Sequence, residues 1–382
     1  MKTEFEAATE NAALADAIRA AIAERGAVPF RDFMDLALYH PQHGYYCSRR
    51  DKMGREGDYL TSPEVSPVFG VLVGRQLREM WQAMGSPARF DVVEAGPGSG
   101  RLARDILRWA RNHTPGLGEA LAYTLVEVSE PMIDRQRETL AEESERVAWR
   151  TGLPDGIEGC ILSNELLDSF PVHRVEVRDG ELLEVFVDWD GSAFVEELRP
   201  PSTPELARYF EDLGLLPGEG CRAEVNLAAP QWLRAAGDAL ARGFVLTFDY
   251  GYAANELYAP WRSDGTLLCF HRHNPSADPY VRIGRQDITA HVDFTTVRAA
   301  GESAGLQTLG LVSQSELLTS LGIADALSPP AEGDTDLEGY YARRRAVSEL
   351  LDPAGLGRIR VLAQSKGLVR PRLSGLEGLN GA

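Results

Sequence analysis

The stretch that most constrains the fold runs from Phe90 to Gly100 and reads Phe-Asp-Val-Val-Glu-Ala-Gly-Pro-Gly-Ser-Gly. Val92 and Val93 are apolar and β-branched, the residue type that a central parallel strand buries on both faces. Gly96, Gly98 and Gly100 follow at every second position. Glycine reaches φ > 0 without steric penalty and lets a ligand come close to the backbone. Leu102, Ile106 and Trp109 then recur at helical spacing, so a helix starts at the turn. Strand, glycine turn and helix N-terminus in that order form a nucleotide-type pocket at the carboxyl end of a parallel sheet. The fold class predicted is therefore α/β, with a doubly wound, mostly parallel sheet.

The rest of the chain is arranged around that unit. Residues 1–87 read as a helical N-terminal segment. Leu14, Ile18 and Ile22 lie on one helical face, Phe30 to Leu38 make a second helix, and Phe69 to Met84 line a longer one after a Ser66-Pro67 start. Tyr123 to Glu127, Val147 to Trp149, Gly159 to Ser163 and Phe244 to Asp249 read as further strands of the sheet, with residues 88–173 and 241–321 as its domain. His113 to Gly118 is expected to be a loop, and Gly243 the cap of a helix from Trp232 to Leu240. Between the two parts of the domain, residues 174–240 look like an inserted β-rich and helical region on the substrate side, with a helix from Glu205 to Leu213. Val175 and Val177 lead into Asp179-Gly180, a hairpin turn signal. Thr266 to Phe270 and Leu309 to Val312 are expected as the last strands. Residues 322–382 read as a linker (Ser328 to Asp336), a helix over 339–366 and a tail.

Composition excludes some partners. The 382 residues carry a net charge of −18, which argues against nucleic acid and anionic membrane surfaces. No apolar run approaches the roughly 20 residues that span a bilayer, and Met1 to Asn11 lacks the pattern of a signal peptide. Cys47, Cys160, Cys221 and Cys269 form no C-x-x-C pair, which fits a reducing, cytoplasmic setting. His271, His273 and His291 match no metal-ligand spacing, so no metal is expected.

The turn also narrows the nucleotide. A dinucleotide fingerprint starting at Gly96 needs glycine at position 101, where Arg101 stands; starting at Gly98 it reaches Ala103 and leaves Gly96 unused. No phosphate-cradling G-x-x-x-x-G-K-[ST] occurs. The string Glu94 to Gly100 instead resembles the first motif of class I S-adenosylmethionine (SAM) methyltransferases. Four other strings sharpen the resemblance: Gly57-Asp58-Tyr59-Leu60-Thr61-Ser62-Pro63-Glu64, Asn164-Glu165-Leu166-Leu167-Asp168, Asp249-Tyr250-Gly251-Tyr252, and Asp287 to Phe294. Together they resemble the MidA-type family of SAM-dependent methyltransferases, the family of the mitochondrial complex I assembly enzyme that methylates a protein arginine. The resemblance extends from about Ala13 to Leu321, and this chain looks like a bacterial member.

That resemblance implies a Rossmann-like fold and SAM as cofactor. Gly96, Gly98 and Gly100 would shape the cofactor pocket, and Glu94 would bond to the turn or to the cofactor amine. Glu127, an acid at the end of the second strand, would accept hydrogen bonds from the ribose hydroxyls. Asp58, Thr61 and Ser62 would supply polar groups on a loop folding over the site. Asn164, Glu165 and Asp168 lie just past a buried strand, where they would face the transferring methyl. Two carboxylates there suit a guanidinium, which they can bind bidentately; if the turn after Glu165 is helical, residues three apart share a face. The expected partner is a protein substrate, with a respiratory-complex subunit as one candidate and a homodimer as an assembly. A small-molecule acceptor, or a SAM-binding assembly factor with little turnover, remains open on the residues alone.

Overall fold

The computed structural model describes residues 11–48, 54, 57, 58, 60–328 and 337–377. The chain start through Glu10, Tyr59 of the loop motif, most of the expected Ser328 to Asp336 linker and the last residues of the tail lie outside them.

Seven strands make the central sheet: β1 (Phe90–Ala95), β2 (Leu121–Val126), β3 (Val147–Arg150), β4 (Ile157–Asn164), β5 (Leu240–Asp249), β6 (Gln307–Ser313) and β7 (Arg360–Lys366), in the spatial order β6-β7-β5-β4-β1-β2-β3. β1, β2, β3, β4 and β5 run parallel to one another, and β7 is antiparallel to both β5 and β6. The chain thus winds outward from β1 to β3 and then returns to the other side of β1. The switch point lies between β1 and β4, where open α/β sheets bind their ligands at the carboxyl ends of the strands.

Both faces of the sheet are covered, as its apolar strands require. Val92, Leu162 and Leu246 pack on one face against the helices Pro67–Ala83 and Arg101–His113. Val93, Ile161 and Val245 pack on the other against Leu233, Ala236, Phe294 and Val297. The helices Ala12–Arg25 and Phe30–Tyr39 belong to a separate core. Leu14, Ile18, Phe33 and Met34 pack there with Val185 and Val187 of a second, five-stranded antiparallel sheet. That sheet holds the expected hairpin: Arg178 pairs with Glu181 across Asp179 (φ 53°) and Gly180 (φ 76°), the two positive φ values a tight hairpin turn needs.

Four local expectations change. Residues 113–118 are not a loop, since a short helix, Pro115–Ala120, begins with proline at its first turn. Gly243 does not cap a helix; it lies inside β5 beside Gly159 of β4, where an added Cβ would meet a carbonyl oxygen at 1.9 Å. Leu268–His271 leaves the central sheet for a three-stranded one of its own. Among the described residues the α-helix expected over 339–366 covers Leu337–Leu351; the later part of that stretch is a short 3-10 turn and then β7, which lies between β5 and β6. Val361-Leu362-Ala363 is a short apolar run whose periodicity does not separate buried strand from buried helix, and the open backbone edges of β5 and β6 decide it. Among the described residues, no helix is long and apolar enough to cross a membrane.

Candidate active site

A cavity of about 320 Å³ opens at the carboxyl ends of the strands, next to the glycine turn. Gly96, Gly98 and Gly100 all take positive φ (63°, 52° and 81°). Gly96 and Gly98 form the cavity wall, whereas Gly100 sits behind it as the left-handed residue that starts the helix Arg101–His113. Glu94 reaches the wall from β1. It is buried, it accepts a 2.6 Å hydrogen bond from the Tyr123 hydroxyl, and burial pushes its pKa up to about 8 against the effect of that bond.

Glu127 lines the cavity from the end of β2. Its Oε1 accepts from the backbone N–H groups of Val128 and Ser129, both at 2.8 Å, and its Oε2 accepts from the Gln136 amide at 3.1 Å. The same Gln136 nitrogen donates to the carbonyl of Gly98 at 2.9 Å. A buried glutamine therefore ties the candidate ribose acid to the glycine turn. Nothing in the local sequence around Gln136 marks it for this role.

The loop after residue 57 divides. Thr61 reaches the cavity. Ser62 is buried behind it, donating its N–H to Glu165 Oε1 at 3.3 Å and its hydroxyl to Gln314. Asp58 is not on the wall: its carboxylate accepts from the Tyr45 hydroxyl and the Arg272 N–H, both at 2.9 Å, and so anchors the loop. Glu64, not expected from the sequence, does line the cavity, where it accepts from the Ser99 hydroxyl and pairs with Arg101 at 3.1 Å. Tyr39 and Tyr46 cover the site from the N-terminal segment, held by the Tyr39 hydroxyl on the Ser169 carbonyl (3.0 Å) and the Tyr46 hydroxyl on Asp287 (2.7 Å).

Asn164 and Glu165 stand on the wall at the end of β4, with the Asn164 amide donating to Glu165 Oε1 at 3.1 Å. Glu165 has φ 51°, a left-handed backbone that costs a non-glycine residue energy. Burial first, then the charge of Asp168, raises its pKa to about 8. Asp168 does not share the wall with Glu165. The turn that follows is a single 3-10 turn, Leu167–Ser169, rather than a helix, so the expectation of two carboxylates on one helical face is corrected. Asp168 is buried beneath, where desolvation and the charges of Asp249 and Asp287 hold its pKa well above the usual range.

Asp249 fixes this turn. Its Oδ2 accepts from the N–H groups of Leu166 (3.2 Å) and Leu167 (2.7 Å), and its Oδ1 accepts from that of Tyr250 (2.9 Å). Burial brings its pKa to about 7. Among the described residues the cavity wall thus carries four carboxyl groups, of Glu64, Glu94, Glu127 and Glu165, against the single cation of Arg101. Asn164 Oδ1 is buried there without a hydrogen-bond partner. This wall fits a ligand with a sulfonium, an ammonium group and a diol. Among the described residues no group of His, Cys, Asp and Glu could hold a metal ion.

A glycine turn at the switch point, an oriented acid after β2 and an acid-lined cavity define a class I SAM-dependent methyltransferase. Residues 72–312 match the model of a family of S-adenosyl-L-methionine-dependent methyltransferases, Methyltransf_28, and the chain belongs to that family. It is 31% identical to the protein named protein arginine methyltransferase NDUFAF7 homolog, mitochondrial, of Drosophila melanogaster, over 96% of this chain and 88% of that protein. It is 30% identical to the human protein arginine methyltransferase NDUFAF7, mitochondrial, over 84% of this chain and 77% of that protein. A COG1565 superfamily member from Burkholderia thailandensis, solved with S-adenosyl-homocysteine bound, is similar in structure, with a TM-score of 0.88 and 35% identity over 99% and 98% of the two chains.

Proposed function

We propose that this methyltransferase acts on an arginine of a protein acceptor. The observation that carries the reading is Glu165: a carboxylate on the cavity wall, with the buried acids Asp168, Asp249 and Asp287 close enough to act on one another and on it. Such a wall is costly without a cation, because buried carboxylates that repel one another must stay protonated. A guanidinium removes that cost and draws Glu165 into its ionised form. The names of the curated relatives support the same acceptor.

SAM, when bound, supplies an electrophilic methyl on a sulfonium whose departure leaves a neutral thioether, so no general acid is required. The chain's own residues then have two tasks. Glu127 and the glycine turn position the cofactor. Glu165, steadied by Asn164 and the Ser62 N–H, binds the guanidinium, localises its charge and receives the proton that the alkylated nitrogen sheds.

Glu165→Gln keeps the volume and removes the charge. SAM affinity measured by calorimetry should stay near the wild-type value, and labelled-methyl transfer into protein should fall by about 10²–10⁴-fold, the usual share of a positioned acid or base. Wild-type transfer by Glu165→Gln would refute the assignment. A wild-type enzyme that labels no protein at all would favour a small-molecule acceptor.

A further inference from the structure

A second cavity, of about 400 Å³, lies beside the first site. Its walls come from Tyr250 and Tyr252 after β5, from His291, and from Arg358 and Arg360 at the start of β7. Tyr250 links the two sites. It directly follows Asp249, whose carboxylate holds the two residues after Glu165. Its hydroxyl is held above its ordinary pKa, by burial first and then by the charges of Glu165 and Asp168, while Arg358 pulls the other way. Tyr250 thus stands between the acidic wall and the arginines.

Among the described residues the cavity is lined by two arginines, Arg358 and Arg360, and one acid, Glu256, the reverse of the balance in the chain as a whole. In a protein of net charge −18, neither Arg358 nor Arg360 has an ion-pair partner among the described residues. Glu316, which lies in the field of Arg360, has its carboxylate taken up by the N–H and hydroxyl of Ser313. The Arg358 guanidinium lies 5.6 Å from the Tyr250 ring centre, and that of Arg262 lies 4.0 Å from the Tyr252 ring centre. His291 stacks on Tyr250, and its Nδ1 is buried with no hydrogen-bond partner. Burial, then Arg358 and Arg262, lowers its pKa to about 4, so the ring is neutral at pH 7 and can donate one hydrogen bond to an acceptor. Tyrosine and arginine gathered in this way are among the side chains that dominate protein–protein contacts.

We propose that this cavity receives an acidic side chain of the polypeptide acceptor, a glutamate or aspartate near the methylated residue in sequence or in space. The arginines bind its carboxylate, His291 offers the remaining donor, and the aromatic faces pack against the backbone around it. A free small anion would use the arginines but leave the aromatic surface without a role. This proposal rests on the protein-acceptor reading above and adds a rule of sequence preference to it.

The test uses short acetylated and amidated peptides with one central arginine, in which a single glutamate is walked through the flanking positions, and matched peptides with glutamine instead. Binding is read by fluorescence anisotropy to the full chain saturated with S-adenosylhomocysteine. At one or more positions the glutamate peptide should bind about tenfold tighter than its glutamine counterpart, the scale of one charged hydrogen bond. The double variant R358Q/R360Q should lose that preference and keep wild-type affinity for S-adenosylhomocysteine, which shows that it is folded. Equal binding of glutamate and glutamine peptides at every position, or no peptide binding, would overturn the proposal. So would a wild-type chain that is stabilised by glutarate alone and shows no peptide preference, because the cavity would then take a free anion. Replacing the central arginine by citrulline separates the two readings: a glutamate preference that survives with no loss of affinity would refute arginine as the acceptor and leave this cavity's role standing.

Discussion

The glycine turn can be tested by adding a single methyl group. At Gly96 an added Cβ would lie 2.7 Å from Leu166 Cδ1, about 1 Å inside ordinary carbon contact. The backbone of Leu166 cannot easily yield, since its N–H is bonded to Asp249, so its side chain must rotate, and that side chain lines the cofactor cavity. Two terms add in Gly96→Ala: the left-handed backbone at φ 63°, about 1–2 kcal/mol for an L-residue, and local overpacking, about 1–3 kcal/mol. Gly214 isolates the first term, with φ 65° and ψ 26° and nothing within 4 Å of the added methyl. Urea unfolding without ligand should therefore show Gly96→Ala less stable than Gly214→Ala by about 1–3 kcal/mol. Calorimetry should show S-adenosylhomocysteine binding weakened about tenfold in Gly96→Ala, or roughly 1.4 kcal/mol, and unchanged in Gly214→Ala. If the two variants are equally stable and bind alike, Leu166 does not carry the turn's geometry into the cavity and the reasoning fails.

Other perturbations have equally definite outcomes. Glu127→Ala should weaken SAM binding by about 1.5–3 kcal/mol, the scale of charged hydrogen bonds, and should also lower unliganded stability, because it frees the Val128 and Ser129 N–H groups; unchanged SAM affinity would refute its ribose role. Asp249→Asn cannot accept at both of its oxygens, so one of the bonds to Leu167 or Tyr250 is lost; methyl transfer should fall more than SAM affinity does, and equal losses in both would refute a role specific to Glu165. The carboxyls of Glu94 and Glu165 (pKa about 8) and Asp249 (about 7) are raised by folding. The folded state therefore binds their protons more tightly than the unfolded chain. Their contribution to stability is fully present below about pH 4 and is lost as pH rises toward 8. The thermal midpoint without ligand should decline from pH 5 to pH 8, and Glu94→Gln should flatten that decline; an unchanged slope would refute the assignment to Glu94.

What the sequence made legible was local. The glycine turn, the hairpin at Asp179-Gly180 and the helix Glu205–Leu213 each declare themselves within about ten residues, through turn chemistry or periodicity. The places of Glu94, Glu127, Asn164 and Glu165 on the cavity wall were reachable because open α/β sheets form their clefts at the carboxyl ends of the strands, and each stands at or just beyond a strand end. What stayed hidden depends on distance along the chain. Gln136 is recognisable only once its amide is seen to bridge Gly98 and Glu127. Glu64 meets Ser99 across 35 positions, and Tyr46 meets Asp287 across 241. Asp168 was misplaced because its position was inferred from helical spacing, and a single 3-10 turn rotates side chains differently.

The conformation of Glu165 ties these long-range contacts to function. A non-glycine residue at positive φ costs of order 1–3 kcal/mol and persists only where its surroundings fix it. Here they do: the Glu165 N–H donates to the Phe248 carbonyl at 2.9 Å, and Asp249 takes the next two N–H groups. Those bonds all involve backbone N–H groups, so they would form equally well with glycine or asparagine at position 165, either of which tolerates this φ better. The side chain accepts from the Ser62 N–H and the Asn164 amide, which the amide oxygen of a glutamine could also do, so folding alone does not require an ionisable group at Glu165. Its side chain adds a carboxyl whose pKa is raised to about 8, on the wall of the cofactor cavity and above three further buried acids. Buried acids that repel one another are unfavourable without a counter-charge and favourable with a delocalised cation between them, and a guanidinium meets that requirement with the planar pair of donors that one carboxylate accepts.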